Sequence, residues 1–287
     1  MTAVWLRLPL PEQQYAQLQR DMPACDFHCG YDEPEPGWVS QAEVLFTDKP
    51  AADELYQKMD SLKWLQVPWA AAFRFYRPAL LARPGIRITT CRGIHGPVFS
   101  EWGLMCILAL AKQLPQCMAD QRAHRWQPAE LAAMPIAGRT LGIVGLGTVG
   151  TDLARKAHAL GMRVVATKAH VGHKPDFVEE LGPPEDLPDL LGQSDFVVLS
   201  APDIAETERF FGEAEFKAMK PTAYLVNLAP KQAAAEDVLV RALKEGWIAG
   251  AALDALPTEP LPPESELWDL PNVLVFPRLA GTSARGH

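Results

Sequence analysis

Leu141-Gly142-Ile143-Val144-Gly145-Leu146-Gly147-Thr148-Val149-Gly150 is the stretch from which the fold can be read. An apolar run leads into three glycines spaced G-x-G-x-x-G, and helical spacing takes over from Val149 to Leu160. Each glycine has its own physical task. Gly145 permits a tight turn, Gly147 lets the backbone approach a pyrophosphate, and Gly150 lets helix and strand pack closely. The helix opening here offers unbonded N–H groups and the positive end of its dipole. An ordinary glycine turn is the competing reading, but the strand before, the helix after and the strand beyond give the context a dinucleotide needs. Gly145, Leu146, Gly147, Thr148, Val149 and Gly150 are therefore expected to hold a dinucleotide.

The same alternation extends outward. Thr140 to Val144, Arg163 to Thr167, Asp195 to Ser200, Ala223 to Leu228, Ile248 to Asp254 and Val273 to Phe276 are short and nearly all apolar, as parallel strands buried on both faces must be. Helical stretches such as Val149 to Leu160 and Ala233 to Glu245 separate them, which predicts a doubly wound α/β arrangement. Before it, Val4 to Leu6, Val44 to Phe46, Trp64 to Val67 and Ile86 to Thr89 read as strands. Glu12 to Asp21 and Asp53 to Met59 read as helices, and one long helix is expected from Phe99 to Trp126, after Pro97.

The end of the strand Arg163 to Thr167 bears on cofactor choice, because an Asp or Glu there accepts hydrogen bonds from an unphosphorylated ribose. This chain has Ala166-Thr167-Lys168-Ala169-His170, then His173 and Lys174, with no carboxylate before Asp176. Thr167 and Lys168 suit a 2′-phosphate, so NADP(H) is preferred and NAD(H) stays possible; a solvated basic loop is the plainer alternative.

Composition narrows the partners. The 287 residues carry 27 Lys+Arg against 35 Asp+Glu, a formal charge of −8, which disfavours a protein that coats nucleic acid. The longest apolar run, Gly103 to Ala111, is too short to cross a membrane, and Met1 to Arg7 does not resemble a leader, so a cytoplasmic protein is expected. Five cysteines do not suggest a disulfide framework. Cys25, His28 and Cys29 form a metal-capable grouping, but no second ligand pair follows, and no metal is expected.

Several further blocks stand in order: Arg92-Gly93-Ile94-His95-Gly96, Glu101-Trp102, the glycine turn, Ser194 to Leu199, Met219-Lys220-Pro221 and Leu225-Val226-Asn227. Ala252-Leu253-Asp254, Thr258-Glu259-Pro260-Leu261-Pro262 and Leu270-Pro271-Asn272-Val273 complete the set. Together they resemble the D-isomer-specific 2-hydroxy acid dehydrogenases, in their glyoxylate/hydroxypyruvate reductase-like branch. The resemblance implies an α/β protein of two doubly wound domains, the larger a Rossmann dinucleotide-binding domain over 98–280, the smaller flavodoxin-like. The smaller, over 1–97 and possibly joined by 281–287, is the expected substrate domain. A nicotinamide cofactor, a small-molecule substrate and a homodimer are implied as well. So are cofactor contacts from Pro202, Thr207, Leu228, Ala229 and Asp254, beside Thr167, Lys168 and the glycine turn.

The family's chemistry uses an Arg to hold the substrate carboxylate, a His to pass the proton, and a Glu paired with that His. Carried over residue by residue, the Glu is Glu259. The Arg position after Asn227-Leu228-Ala229 holds Pro230, followed by Lys231, and the His position after Pro277 holds Arg278. Proline carries neither charge nor N–H, and arginine keeps its proton at any working pH. Two readings follow for Arg278: it binds an anionic substrate group with Glu259 as its partner, or the two form a structural ion pair. His95 is the leading candidate for the acid, histidines titrating near pH 6.5, with a hinge hydrogen bond as the plainer role; Lys231 is second. The loop Val67 to Phe73, with Pro68, Trp69 and Phe73, points to a larger or less anionic ligand than glyoxylate unless the aromatics fill vacated space. The family continues after Gly281-Thr282 into a helix, whereas this sequence runs to His287; either the sequence is shortened or the helix is lacking, and its loss is expected to loosen the domain arrangement. The function expected is an NADP(H)-dependent oxidoreductase resembling 2-hydroxy acid dehydrogenases and 2-oxo acid reductases, with a rebuilt active site. The alternative is an NAD(P)-binding member without standard turnover, a sensor or partner protein.

Overall fold

A computed structural model of the chain describes residues 1–68, 72–127, 133–202, 207–229 and 233–282. They fall into two compact units, Met1–Ile94 and His95–Gly286.

In the first unit, strands β1 (Thr2–Arg7), β2 (Cys25–Cys29), β3 (Val44–Thr47), β4 (Trp64–Val67) and β5 (Arg87–Thr90) alternate with helices α1 (Glu12–Asp21), α2 (Pro36–Gln41), α3 (Asp53–Lys58) and α4 (Pro78–Leu81). The sheet is parallel, in the order β2-β1-β3-β4-β5, which is the flavodoxin-like order. Trp5, Leu45, Leu65, Val67 and residues of α2 to α4 such as Val39, Tyr56 and Leu80 form its core.

The second unit holds α5 (Gly96–Ala111), α6 (Leu114–Arg122), β6 (Thr140–Val144), α7 (Thr148–Ala159), β7 (Arg163–Thr167), β8 (Glu180–Gly182), α8 (Leu187–Gln193), β9 (Phe196–Ser200), α9 (Glu213–Ala218), β10 (Tyr224–Ala229), α10 (Glu236–Lys244), β11 (Gly250–Leu253) and β12 (Val273–Val275). Its seven strands are parallel, ordered β12-β11-β10-β9-β6-β7-β8. Alternate residues of one strand enter opposite cores. Val197 and Leu199 pack with α8, α9 and α10, while Phe196 and Val198 pack with α5 and α7. That two-sided burial explains why the strands read as unbroken apolar runs. The order reverses between β6 and β9, and such a reversal opens a crevice at the carboxyl ends of the strands.

One sequence expectation is corrected, and two strands are found that the pattern did not reveal. The single helix over Phe99 to Trp126 is two helices: Gln113 takes a left-handed φ of 56° between α5 and α6, and Pro115 lacks the N–H that a continuous helix would need there. The strand β2 was read only as a thiol and histidine grouping; it is an edge strand of half-exposed residues. In it Cys25 and Cys29 share one face and His28 the other, because side chains alternate along a strand. His28 Nε2 lies 3.1 Å from the Asp32 carbonyl oxygen, and no metal-holding cluster occurs among the described residues. The strand β8, three residues long, also escaped the pattern. No helix of the described residues is long and apolar enough to cross a membrane.

Candidate active site at the carboxyl edge of the larger sheet

The glycine turn leaves β6 at the point where the sheet order reverses. Gly145 has a φ of 98°, a left-handed conformation open to glycine and costly for other residues. A Cβ there would stand 2.7 Å from the backbone N and Cα of Ala201. The turns after β6 and β9 are thus in backbone contact, and the Ser200 hydroxyl ties them by donating to the Gly145 carbonyl at 2.9 Å. Gly150 is equally confined, its Cβ position lying 2.6 Å from the Gly145 oxygen. Gly147 differs: nothing lies within 4 Å of its Cβ position, so this side of the turn is open.

The turn is fixed from β7. The N–H groups of Gly145 and Leu146 both donate to the Thr167 carbonyl, at 3.1 and 2.9 Å. Leu146 sends its side chain into the core, Val149 is half-buried, and Thr148 is exposed at the start of α7. No side chain caps α7 and no acidic residue stands in its first turn, which leaves its N-terminal N–H groups and dipole for an anion. A turn closed beneath and open above, with an uncapped helix, fits a pyrophosphate. At the end of β7, Thr167 is buried while Lys168 is half-buried and His170 and His173 are exposed.

The helix α5 supports this turn. Gly96 faces Thr148 Cγ2 at 3.2 Å from its Cβ position. Ser100 donates to Asp152 Oδ2 at 2.6 Å and Lys156 meets that oxygen at 3.0 Å, clamping α5 to α7. Burial by itself raises the Asp152 carboxyl, but the Ser100, Arg155 and Lys156 hydrogen bonds outweigh it and hold the group at about 2. His95 precedes α5, half-buried and edge-on to Phe99 at 6.2 Å. The Phe99 ring in turn lies 3.0 Å from the Cβ position of Gly281. His95 therefore neighbours both the glycine turn's helix and the segment after β12.

That segment holds Arg278. The Arg278 Nε donates to Glu259, 2.9 Å from Oε1 and 3.0 Å from Oε2. Glu259 is further fixed by the Leu256 N–H at 3.1 Å. The Glu259 side chain keeps 16% of its exposure and that of Arg278 41%. Only the Nε edge of the guanidinium is engaged, and no hydrogen bond from its two terminal nitrogens occurs among the described residues. These form a planar fork matched to a carboxylate. Both readings of Arg278 pair it with Glu259, and the two side chains are in contact.

The other expected positions scatter in role. Leu228 is in the core, touching the Gly103 position, and Ala229 is half-buried. Pro202 is exposed, and the Thr207 hydroxyl donates to its carbonyl. Asp254 is buried with both oxygens turned to the backbone N–H groups of Leu279 and Ala280. Pro230, Lys231 and Trp69 lie outside the described residues. Sequence reasoning missed Ser200 and Ala201. The signal was available: a turn that must meet Gly145 backbone to backbone needs small residues at the end of β9.

Comparison with known proteins agrees with this geometry. Residues 104–280 match the model of the D-isomer specific 2-hydroxyacid dehydrogenase NAD binding domain. The chain belongs to this dehydrogenase family. It is 36% identical over 244 residues to a glyoxylate reductase of Korarchaeum cryptofilum, covering 83% of this chain and 72% of that protein. A D-isomer specific 2-hydroxyacid dehydrogenase family protein from Aeromonas salmonicida superposes with a TM-score of 0.80 at 27% identity, over 98% of this chain and 89% of that one. An NADPH-dependent glyoxylate/hydroxypyruvate reductase from Sinorhizobium meliloti, solved with NADP and sulfate, gives 0.80 at 26% identity, over 99% and 90%.

Proposed function

We propose that this dehydrogenase-family chain is an NADP(H)-preferring reductase of small 2-oxo acids in which Arg278 holds the substrate carboxylate. The observation that carries the reading is the Arg278 guanidinium, tied to Glu259 through Nε with its terminal fork unengaged. A carboxylate on that fork gains two charge-assisted hydrogen bonds, and Glu259 keeps the cation oriented. Gly145, Gly147 and the N-terminus of α7 hold the pyrophosphate, and Lys168 takes the 2′-phosphate. When bound, a reduced nicotinamide would supply hydride to the oxo carbon, and the oxygen on that carbon must gain one proton for a hydroxy acid to form. His95 is the proposed source of that proton, since Arg278 does not release one. The smaller unit serves the substrate, and the family supports a homodimer in the cytoplasm; sedimentation of the purified chain checks the dimer.

NADPH oxidation with glyoxylate, hydroxypyruvate, phenylpyruvate and bulkier oxo acids tests the reading. Turnover of at least one of these acids is expected. A second reading, a dinucleotide-binding protein without turnover, is favoured by the arginine at 278. It replaces the first if NADPH binds and none of these acids is reduced above background.

A further inference from the structure

The smaller sheet has a reversal of its own. In the order β2-β1-β3-β4-β5 the chain leaves β1 for β2 on one side and then crosses to β3 on the other. Open α/β sheets take ligands in the crevice at the carboxyl ends of such a strand pair. Arg7 closes β1 and Thr47 closes β3, and the two face each other in register. Tyr31 follows the end of β2, and Asp48 and Lys49 follow Thr47. The candidate site on the larger unit uses none of these five residues.

One buried hydroxyl arranges this edge. Thr47 Oγ1 donates to the Lys49 carbonyl at 2.8 Å, accepts the Lys49 N–H at 3.3 Å and lies 3.4 Å from Arg7 Nη1. Arg7 Nη1 also donates to the Lys49 carbonyl, at 3.3 Å. Both cations converge on the Tyr31 ring, Lys49 Nζ 4.0 Å from its centre and the Arg7 guanidinium 5.9 Å from it. The Tyr31 hydroxyl donates to the Asp48 carboxylate, 2.8 Å from Oδ2 and 3.0 Å from Oδ1. Neither Arg7 nor Lys49 forms an ion pair among the described residues. Two like charges drawn to one ring repel each other, and the ring face offsets only part of that repulsion. In α3, Tyr56 is fully buried, and its hydroxyl makes no hydrogen bond of full geometry among the described residues, the Ala51 N–H being its polar neighbour. Burial raises that phenol while the charges of Arg77 and Arg7 pull it down, which sets it within electrostatic reach of Arg7.

We propose that Arg7 and Lys49 form a separate anion site, in the β1–β3 crevice of the smaller unit, that takes a phosphate group. Cations brought from two strand ends suit a dianion better than a singly charged carboxylate. The Arg7 Nε and Nη2 groups, which donate to no described residue, and the Lys49 ammonium supply donors for the phosphate oxygens. This site is independent of Arg278 and of the glycine turn.

Inorganic phosphate is titrated, at constant ionic strength, into the full chain saturated with NADP⁺, which covers the glycine turn. The nitrogen–proton resonances of the Arg7 side chain and of the Asp48 and Lys49 backbone report occupancy. Saturable shifts are expected, with affinity falling roughly tenfold in Arg7→Leu and in Lys49→Met and holding in Arg278→Leu. Acetate, with a single charge, should bind roughly tenfold more weakly than phosphate. Lys49 is exposed, so Lys49→Met keeps the test readable should Arg7→Leu not fold. Glycerol 3-phosphate separates two sources of the same group: affinity equal to that of phosphate assigns the site to a phosphomonoester, and weaker binding assigns it to free phosphate. Shifts that chloride reproduces at the same ionic strength overturn the proposal. So do unaltered phosphate affinity in a folded Lys49→Met chain, acetate binding as tight as that of phosphate, and loss of the shifts in Arg278→Leu. Failure to reduce any oxo acid removes the reading of Arg278 and leaves this site standing.

Discussion

The glycine turn after β6 and the Arg278 corner after β12 belong to the same unit and are built on opposite logic. The turn works through backbone: Gly145 is pressed against Ala201, and Leu146 and Gly145 share the Thr167 carbonyl. Its side chains are absent, buried or incidental. The corner works through side chains: Arg278 pairs with Glu259, and Asp254 accepts the N–H groups of the two residues that follow Arg278. Backbone demands such as a positive φ admit few residue types, so they leave a compact mark in the sequence. A charge can move from one wall of a site to another and still serve, so its meaning emerges only when the partners are seen.

Substitutions probe this contrast. Gly145→Ala places a methyl 2.7 Å from the Ala201 backbone at a φ of 98°. Its expected cost is about 1–3 kcal/mol of stability and dinucleotide affinity falling roughly 100-fold, read by thermal melts and calorimetry. Gly147→Ala meets open space, so Tm should hold while dinucleotide affinity drops; an equal loss of Tm in both variants would erase the distinction between the floor and the mouth of the turn. At the corner, Arg278→Leu should reduce kcat/KM for the preferred oxo acid by roughly 100-fold and leave NADPH affinity unaltered. Lys168→Asp should weaken NADPH roughly tenfold more than NADH; parallel effects on both cofactors would remove the 2′-phosphate assignment.

The smallest effect is expected at the α5–α7 clamp. Asp152 sits at about 2 in the folded chain against 3.8 for the free group. A carboxyl lowered by folding adds stability above its unfolded value and loses it as pH falls through the folded one. The Tm advantage of the wild type over Asp152→Asn should accordingly be complete above about pH 4 and shrink toward pH 2. An advantage independent of pH would mean that the carboxylate's charge is not what secures the clamp.

Much of this architecture could be read in advance, for identifiable reasons. The strands β6, β7 and β9 are apolar on both faces, and α7 begins where the glycines end. The strand β2 was hidden because an edge strand buries little; its residues are half-exposed and polar ones interrupt them. The break after α5 had its signal in Pro115, but the apolar spacing on either side concealed it. At the site, the sequence offered Glu259 and Arg278 as possible partners without their distance, and it named Asp254 without the direction of its carboxylate. The direction of a carboxylate depends on which N–H groups the fold brings to it, and those of Leu279 and Ala280 lie 25 and 26 residues away.

The hydroxyl of Ser200 reaches the Gly145 carbonyl across 55 residues of chain. A growing polypeptide that had emerged only through α7 would possess all three glycines and still lack the surface on which the first of them rests. Competence to capture nucleotide thus arrives late in synthesis, once Ala201 has joined, and a captured nucleotide then favours the finished arrangement over every earlier one.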